Sequence, residues 1–319
     1  MKSKLNAIKL SIVVPCYNEQ EVIIETNKRL TKLVHTWVDK GKIENYEIIY
    51  VDDGSTDKTF NLLATFARNN SKIKVISFSR NFGHQAALSA GLFYASGDAI
   101  VTIDADLQDP PEIIGQMLEK FKKGYDVIYG VRKKRETDTF FKRFTAELFY
   151  KLMKFMGVDL VYNHADFRLM SRAVVEEFKK MHEVNRFLRG MIPYLGFKKD
   201  FVYYDRMERF AGKTKYPIKK MLALAWEGIT SFTYVPLRIA SILGSIITFV
   251  SFFLMVWALG VKLWGHSIPS WASTVIPIYF LGGLHLLFLG VVGEYIGKIY
   301  MEVKRRPIFI VKRLINFED

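Results

Sequence analysis

Residues 99–112 read AIVTIDADLQDPPE, an apolar run of five residues followed at once by acids and a double proline. A run this short and this rich in β-branched residues is typical of a buried β-strand. Because side chains alternate along an extended chain, Asp104 and Asp106 are expected to point to the same side just beyond the strand. The stretch therefore predicts a buried strand that brings two carboxylates to one edge of a sheet.

The same pattern, an apolar run that ends in polar residues, occurs three times earlier in the chain. The runs are LSIVV (10–14), EIIYV (47–51) and IKVISF (73–78). They end in PCYNE, DDGSTD and SRNFGH, and DVIYGVR (126–132) supplies a further strand. Four strand ends rich in turn-forming polar residues indicate one shared ligand site, because ligands bind beyond the carboxyl ends of the strands in open α/β sheets.

Helical patterns separate these strands, at 19–38, 57–69 and 84–95. Strands that alternate with helices predict an α/β fold, with a mostly parallel sheet and helices on both faces.

Two long stretches near the carboxyl end carry no charge. No charged residue lies between Arg238 and Lys262, or between Lys262 and Glu294. Both gaps exceed the roughly 20 apolar residues that cross a bilayer core. We expect transmembrane helices near 237–260 and 273–296, joined by the loop LWGHSIPSWAST; the alternative is a buried hairpin in a soluble core.

The chain is strongly basic, with a net charge of +14 and a pI near 9.6. The connecting loop has no Lys or Arg, whereas KTKYPIKK precedes the hairpin and KRRP and KR follow it. The positive-inside rule then predicts a multi-pass protein of the cell membrane, with the amino-terminal domain and both termini cytoplasmic. The charge suits an anionic leaflet, and because no nucleic-acid motif occurs we expect no nucleic-acid partner.

These features divide the chain into three parts: a cytoplasmic domain (1–233), a transmembrane hairpin (234–298) and a basic cytoplasmic tail (299–319). Two amphipathic segments, 139–157 and 214–232, are aromatic on one face and basic on the other, as expected for helices in the membrane interface. For 139–157 an ordinary surface helix packed on the sheet explains the pattern equally well.

The acids of the opening stretch have the chemistry of a cation site. Two neighbouring carboxylates repel each other unless a cation lies between them or one of them binds a proton. Mg²⁺ and Mn²⁺ accept oxygen ligands, and Mg²⁺ commonly takes one or two carboxylates together with phosphate oxygens. Asp104 and Asp106 therefore predict a divalent cation that holds a diphosphate, or else a simple acidic turn. Asp109, ahead of Pro110 and Pro111, is expected to cap the next helix.

DDGSTD (52–57) is compatible with two interpretations. Asp52 and Asp53 could accept hydrogen bonds from a nucleoside, through a base N–H or a ribose hydroxyl. Alternatively, the whole stretch could be only an Asx-type turn that caps the helix at 57–69.

AGKTK (211–215) resembles a phosphate-binding P-loop only superficially, because the glycine required five residues before Gly212 is Met207. The segment is nevertheless dense in basic residues, which predicts anion binding or, alternatively, contact with lipid headgroups. These residues are Arg206, Arg209, Lys213 and Lys215.

Six segments, in order along the chain, together resemble one family. They are IVVPCYNEQE, VDDGSTD, RNFGHQAALSAGLFYASGD, DADLQDPPE, ERFAGKTKYP and GEYIGKIYMEVKRRPIFIV. The family is the polyprenyl-phosphate glycosyltransferases of glycosyltransferase family 2, relatives of dolichol-phosphate mannose synthase, and in particular the subgroup with two carboxy-terminal membrane helices. The resemblance covers about residues 10–313. It implies a GT-A (Rossmann-like) fold, a nucleotide-sugar donor, Mg²⁺ or Mn²⁺, a polyprenyl-phosphate acceptor and a homo-oligomer, for which it suggests a tetramer.

The resemblance also implies roles for individual residues. Asp104 and Ala105 would contact the sugar nucleotide, and Asp106, Gln108 and Asp104 would form the metal site. Five residues would line the nucleotide base and ribose, namely Pro15, Tyr17, Glu19, Asp52 and Asp53.

Basic residues would meet the phosphates: the resemblance assigns Arg132, Arg209 and Lys215 to the diphosphate or the acceptor phosphate, and Arg143 to the membrane surface. Asp166 is the corresponding candidate for a catalytic base or an acceptor-positioning residue, and a structural pair with Arg168 is the alternative. The family usually reads G-x-S-K-Y where this chain has GKTKY, and the threonine keeps the hydroxyl. The Q-x-x-R-W motif of processive relatives is absent from the sequence.

The expected reaction is attack by the acceptor phosphate on the anomeric carbon, with inversion. The donor would be a UDP-sugar, such as UDP-glucose or UDP-N-acetylglucosamine, and the acceptor undecaprenyl phosphate at the cytoplasmic membrane face, for cell-envelope glycosylation. One alternative is transfer to a hydroxyl acceptor, which would need a base. The other is a non-catalytic membrane scaffold that binds sugar nucleotides.

Overall fold

The computed structural model describes residues 8–133, 164–207, 230, 233–263 and 271–317. The expected interface helix at 139–157 lies outside these residues, as does all of 214–232 except Thr230. Arg143, Arg209 and Lys215 also lie outside them.

The strands of the described part of the chain form one sheet, in the order β7-β5-β6-β4-β1-β2-β3-β8. Their bounds are Lys9–Cys16 (β1), Asn45–Asp52 (β2), Ile73–Phe78 (β3), Ala99–Thr102 (β4), Val127–Arg132 (β5), His164–Ser171 (β6), Lys199–Tyr204 (β7) and Val311–Ile315 (β8).

Strands β4, β1, β2 and β3 are parallel neighbours, and β5 and β7 form a further parallel pair. The remaining pairs, β4 with β6, β5 with β6 and β3 with β8, are antiparallel. The order 3-2-1-4 of the parallel strands is that of a Rossmann-like half-sheet. The predicted α/β fold with a mostly parallel sheet is confirmed. Strands β1 and β2 are buried along nearly their whole length, which explains their continuous apolar sequences.

The first three helices of this sheet unit agree with the predicted segments at 19–38, 57–69 and 84–95 to within a few residues. Their bounds are Ile23–Asp39 (α1), Thr59–Asn69 (α2), His84–Tyr94 (α3), Ile114–Lys122 (α4), Arg172–Lys179 (α5) and Leu188–Tyr194 (α6). Helix α3 is buried from Ala86 to Leu92, and Gly91 explains its close approach to β1. A Cβ at Gly91 would lie 2.1 Å from Cγ1 of Val13, so only glycine fits there.

Two long helices form a second compact unit, α7 at Val235–Leu263 and α8 at Trp271–Val303. Each contains a stretch apolar enough to cross a membrane, Val235–Leu254 and Phe280–Val303, and neither stretch is buried in the protein. An apolar helix surface without protein cover is suited to lipid. Helix α8 has 33 residues, which gives a length of about 50 Å and exceeds the hydrocarbon core of a bilayer. Its apolar stretch lies closer to the carboxyl end than the predicted 273–296.

The carboxyl-terminal segment differs from the basic tail expected at 299–319. Strand β8 pairs with β3 at the edge of the sheet, so the chain returns to the sheet unit after α8. Asn316 fixes this segment, since its Nδ2 donates to the carbonyl oxygens of Ala67 and Ile73 at 2.7 and 2.8 Å. Phe309 stacks on Phe78, with the ring centroids 5.2 Å apart. The segment therefore completes the sheet.

Candidate active site

The candidate site lies where the parallel strands end. The residue register places Cys16 beside Asp52 and Val13 beside Thr102, so the loops after β1, β2 and β4 leave the same edge of the sheet. These loops contain most of the residues that the sequence singled out.

The loop after β1 begins at Tyr17, whose side chain is half-exposed, and it is held against the loop after β2. Asn18 has a positive φ of 54°; its backbone N–H donates to Ser55 Oγ, and its side-chain oxygen accepts from Thr56 N at 2.8 Å. The backbone N–H of Glu19 donates to Thr59 Oγ1 at 2.9 Å. Pro15 is the penultimate residue of β1. The predicted nucleotide-binding residues of this loop therefore sit on a rigid frame.

Asp52 and Asp53 are buried, and both hold the loops in place. Asp52 accepts hydrogen bonds from Ser55 N at 3.2 Å and from Ser77 Oγ at 3.0 Å. The carboxylate of Asp53 accepts from the backbone N–H groups of Phe82 and Gly83, at 2.7 and 2.9 Å. Burial raises the pKa of Asp53, although these two donors oppose the shift. Neither Asp52 nor Asp53 caps α2; the Asx-type turn at the start of this helix is formed by Asp57, whose Oδ1 accepts from the backbone N–H of Thr59 at 2.9 Å. Nucleoside binding by Asp52 and Asp53 stays a prediction.

Gly54 lets this turn lie directly against the loop after β3. Its φ is +68°, and a Cβ there would lie 2.4 Å from the carbonyl carbon of Arg80. Any other residue would push the two loops apart.

The acids after β4 form a compact turn. Asp106 Oδ1 accepts from the backbone N–H of Gln108 at 3.1 Å, and Leu107 between them has a positive φ of 58°. The carbonyl oxygen of Ala105 accepts from Thr26 Oγ1 at 2.7 Å, which anchors the turn on α1. The side-chain oxygen of Gln108 accepts from Arg206 Nη2.

Asp104 lies among other acids. About a third of its side chain is exposed, but protein surrounds the carboxylate, and this loss of water raises its pKa. Asp166, Asp109 and Asp106 raise the pKa further, whereas His84 opposes the change. Crowded negative charge of this kind favours the binding of a cation.

The donor chemistry of this turn fits Mg²⁺ or Mn²⁺ only if phosphate oxygens complete the coordination. Asp104, Asp106 and Gln108 offer carboxylate and amide oxygens, which are hard ligands. Within the described residues, no group of three or more His, Cys, Asp or Glu side chains could hold a metal by itself. A cation shared between the protein and a bound diphosphate is consistent with both facts.

Asp109 does not cap a helix, so that prediction is wrong. Its carboxylate is buried and accepts from Arg132 Nε and Nη2, each at 3.0 Å, and from the Tyr204 hydroxyl at 2.7 Å. The 3₁₀ turn Pro111–Ile113 begins after Pro110 without any side-chain cap. A buried carboxylate is stabilised far more by a guanidinium and a hydroxyl than by a helix terminus. Arg132, predicted to bind phosphate, is thus held by Asp109.

Asp166 on β6 is paired with two arginines. Its Oδ1 accepts from Arg168 Nη2 at 2.5 Å and from Arg189 Nε at 3.2 Å, and its Oδ2 accepts from Arg189 Nη2 at 3.0 Å. Burial alone would raise the pKa of Asp166, but Arg189, His84 and Arg168 hold it well below the ordinary value. The structural pair with Arg168 is therefore present, and Arg189 is a partner that sequence reasoning missed.

His84 is a second residue that sequence reasoning missed. It is the first residue of α3, and its Nε2 lies 3.5 Å from Asp104 Oδ1 and 3.6 Å from Asp166 Oδ2. Burial lowers the pKa of His84, but the two carboxylates outweigh it and the net shift is upward. The available signal was its place in RNFGH, directly after a strand end.

A mostly parallel α/β sheet, with carboxylates gathered beyond the carboxyl end of β4, is the architecture of a glycosyltransferase with a GT-A fold. Residues 11–179 match the sequence model of the family described as glycosyl transferase family 2, and the chain belongs to that family.

Curated relatives match over almost the whole chain. An uncharacterised glycosyltransferase of Bacillus subtilis (strain 168), YkoT, is 49% identical over 95% of this chain and 90% of its own length. A prophage bactoprenol glucosyl transferase homologue of Escherichia coli (strain K12) is 42% identical, covering 96% of this chain and 99% of that protein. The bactoprenol glucosyl transferase of Shigella phage SfII is also 42% identical, with 96% and 98% covered.

Solved structures resemble the chain more distantly. Mannosyl-3-phosphoglycerate synthase from Rubrobacter xylanophilus aligns with a TM-score of 0.49 at 15% identity, over 69% of this chain and 71% of that chain.

Proposed function

We propose that this glycosyltransferase transfers a hexose from a UDP-sugar, such as UDP-glucose or UDP-N-acetylglucosamine, to undecaprenyl phosphate at the cytoplasmic face of the cell membrane. The product is a polyprenyl-phosphate sugar that supplies cell-envelope glycosylation. The catalytic domain and both termini are cytoplasmic in this proposal, and the protein works as a homo-oligomer, with a tetramer as the expected form.

The observation that carries this proposal is the full-length similarity to proteins named bactoprenol glucosyl transferase. The match covers 96% of this chain and 98–99% of those proteins, and so includes both long apolar helices. An acceptor with a long hydrocarbon tail stays in the bilayer, and an enzyme anchored by two apolar helices meets it there.

The turn after β4 supports binding of the donor diphosphate. Asp104, Asp106 and Gln108 would hold Mg²⁺ or Mn²⁺, which would neutralise charge on the departing nucleoside diphosphate. The side chain of Tyr17 and the acids Asp52 and Asp53 lie at neighbouring strand ends, where a base and ribose are proposed to bind.

The state of Asp166 favours a phosphate acceptor over a hydroxyl acceptor. A phosphomonoester has its second pKa at about 6 and is largely a dianion at neutral pH, so it needs orientation more than deprotonation. A hydroxyl needs a base, but both oxygens of Asp166 accept hydrogen bonds from arginines. A carboxylate held in this way is a poor proton acceptor.

The proposal is tested by incubating the purified full-length protein in detergent with Mg²⁺, undecaprenyl phosphate and a panel of nucleotide sugars. Mass spectrometry of the lipid fraction should show undecaprenyl phosphate plus one hexose or N-acetylhexosamine. Undecaprenol, which lacks the phosphate, is the matched control and should stay unmodified. Glycosylated undecaprenol, or nucleotide binding with no lipid product from any donor, would refute the proposal.

A further inference from the structure

The three arginine contacts of Asp166 divide between one buried and one accessible guanidinium. The side chain of Arg168 has no exposed surface, and its Nη1 also donates to the carbonyl oxygen of Leu188 at 3.2 Å. The side chain of Arg189 has 40% of its surface exposed, and its Nε and Nη2 donate hydrogen bonds to the two carboxylate oxygens of Asp166. Arg168 is thus part of the protein interior, whereas the Arg189 side chain is held in place by Asp166 and is partly exposed.

Arg189 lies close to the acids of the donor site. His84 Nε2 is 3.5 Å from Asp104 and 3.6 Å from Asp166, and Asp166 in turn contacts Arg189. The guanidinium is therefore separated from the Asp104 carboxylate by only one histidine and one carboxylate.

An incoming phosphate dianion meets negative charge at this point. Asp104 and Asp106 repel it, and so does the diphosphate of the donor. An arginine that is already oriented offers compensation without the entropic cost of ordering a long side chain, and its planar fork matches phosphate oxygens.

We propose that Arg189 binds the phosphate of the lipid acceptor, and that Asp166 acts as the residue that positions Arg189. This inference rests on the proposed function and names the residue that recognises the acceptor. The phosphate lies on the exposed side of the guanidinium, opposite the donor diphosphate, and its oxygen faces the anomeric carbon. Asp166 then takes no proton, and Arg168 keeps the Asp166 carboxylate in place from the interior.

The two possible roles of Asp166 make different demands on Arg189. If Asp166 were a catalytic base, Arg189 would only hinder it, and loss of Arg189 would leave acceptor affinity unchanged. If Asp166 is a positioning residue, loss of Arg189 weakens acceptor binding selectively.

The test compares the full-length wild type with Arg189→Gln and Arg189→Lys. The substrates are undecaprenyl phosphate and the UDP-sugar that the donor panel identifies. Arg189→Gln should raise the KM for undecaprenyl phosphate roughly 10- to 100-fold, as expected for a lost charge-assisted hydrogen bond. The KM for the nucleotide sugar should stay within about twofold. Arg189→Lys should recover part of the loss, because it keeps the charge without the fork.

Lys42→Gln is the matched control, since it also removes one exposed cation. Lys42 pairs with Glu119 and lies just before β2, at the amino end of that strand, whereas the site lies beyond the carboxyl ends of the strands. Its two KM values should equal those of wild type.

Binding is measured in parallel, by the affinity of each protein for undecaprenyl phosphate and for undecaprenol. Selective loss of affinity for the phosphate lipid in Arg189→Gln supports the inference, even if the wild type uses no donor in the panel. The absence of transfer from every donor would refute the proposed function alone. An active wild type with an unchanged acceptor KM in Arg189→Gln overturns the inference and leaves the function intact. A rise in the donor KM instead would also overturn it, by assigning Arg189 to the donor diphosphate.

Discussion

Arg168 places its Nη2 2.5 Å from Oδ1 of Asp166, and neither side chain has more than 5% of its surface exposed. A buried guanidinium requires this carboxylate, because an uncompensated charge in the interior is costly. The pair therefore contributes to folding as well as to the site.

Replacing Asp166 by Asn should lower the free energy of unfolding by about 3–5 kcal/mol, because Arg168 loses its counter-charge. Denaturant unfolding of the detergent-solubilised protein measures this loss. Glu112→Gln is the control: it breaks the exposed pair with Arg29 and should cost less than about 1 kcal/mol. Equal losses in the two variants would contradict a buried structural pair.

Replacing Asp106 by Ala should reduce transfer by at least about 100-fold without affecting membrane insertion, since the proposed cation at the donor diphosphate would lose a ligand. Radiolabelled sugar transfer in washed membranes measures the effect, and chelation of divalent ions in wild-type membranes should reproduce it. Asp200→Ala removes a carboxylate paired with Lys120 and should retain activity. Full turnover in chelator-treated membranes would disprove the metal role.

Glu47 should make the sheet unit sensitive to acid. Its buried carboxylate accepts from Ser11 Oγ at 2.5 Å, Ser96 N at 2.6 Å and Lys74 Nζ at 2.9 Å. Burial opposes ionisation, but the effect of these donors is larger, so the pKa of Glu47 is lowered from its ordinary value of 4.5. A lowered carboxyl pKa stabilises the fold above the unfolded value, and this contribution is lost as the pH falls through the folded value.

The Tm of the wild type should therefore fall as the pH is lowered below about 4.5, the ordinary pKa of a glutamate. Glu47→Gln should have a lower Tm at neutral pH and a shallower decline below that pH. Ser96→Ala removes one side-chain donor to Glu47, and its Tm curve should lie between those of wild type and Glu47→Gln. Parallel Tm curves for wild type and Glu47→Gln would rule out this origin of acid sensitivity.

Asn316→Ala should destabilise the sheet unit by about 0.5–1.5 kcal/mol, because two backbone carbonyls lose a partly buried hydrogen bond. Thermal unfolding followed by intrinsic fluorescence measures the change. Lys312→Ala alters an exposed side chain of β8, the strand that Asn316 directly follows, and should have little effect. If both substitutions were neutral, residues 311–317 would not be integral to the sheet.

The sequence was sufficient to predict β1 to β5 and α1 to α3, because each of these elements has a local pattern bounded by turn residues. Strand β6 was not predicted, since Asp166 and Arg168 interrupt its apolar pattern and only their pairing in three dimensions makes them compatible with burial. Strand β8 was missed although IFIVKRLI is apolar and β-branched. Its partner β3 is more than 200 residues earlier, and no local signal identifies such a partner.

The site shows the same division. Asp104, Asp106 and Asp166 were found because they follow or lie within recognisable motifs. Asp109 was misassigned because the residues that hold it, Arg132 and Tyr204, are 23 and 95 positions away. His84 and Arg189 depend on contacts between separate loops, which spacing along the chain does not reveal.

The position of β8 after both apolar helices has a consequence for biosynthesis. The edge of β3 stays uncovered on the nascent polypeptide until the ribosome has translated past Ile315, after both apolar helices have been translated. At about 5–20 residues per second, the interval is on the order of ten to fifty seconds. Completion of the sheet therefore follows synthesis of both apolar helices, and a chain that stalls before that point leaves an unpaired strand edge that chaperones and proteases can recognise.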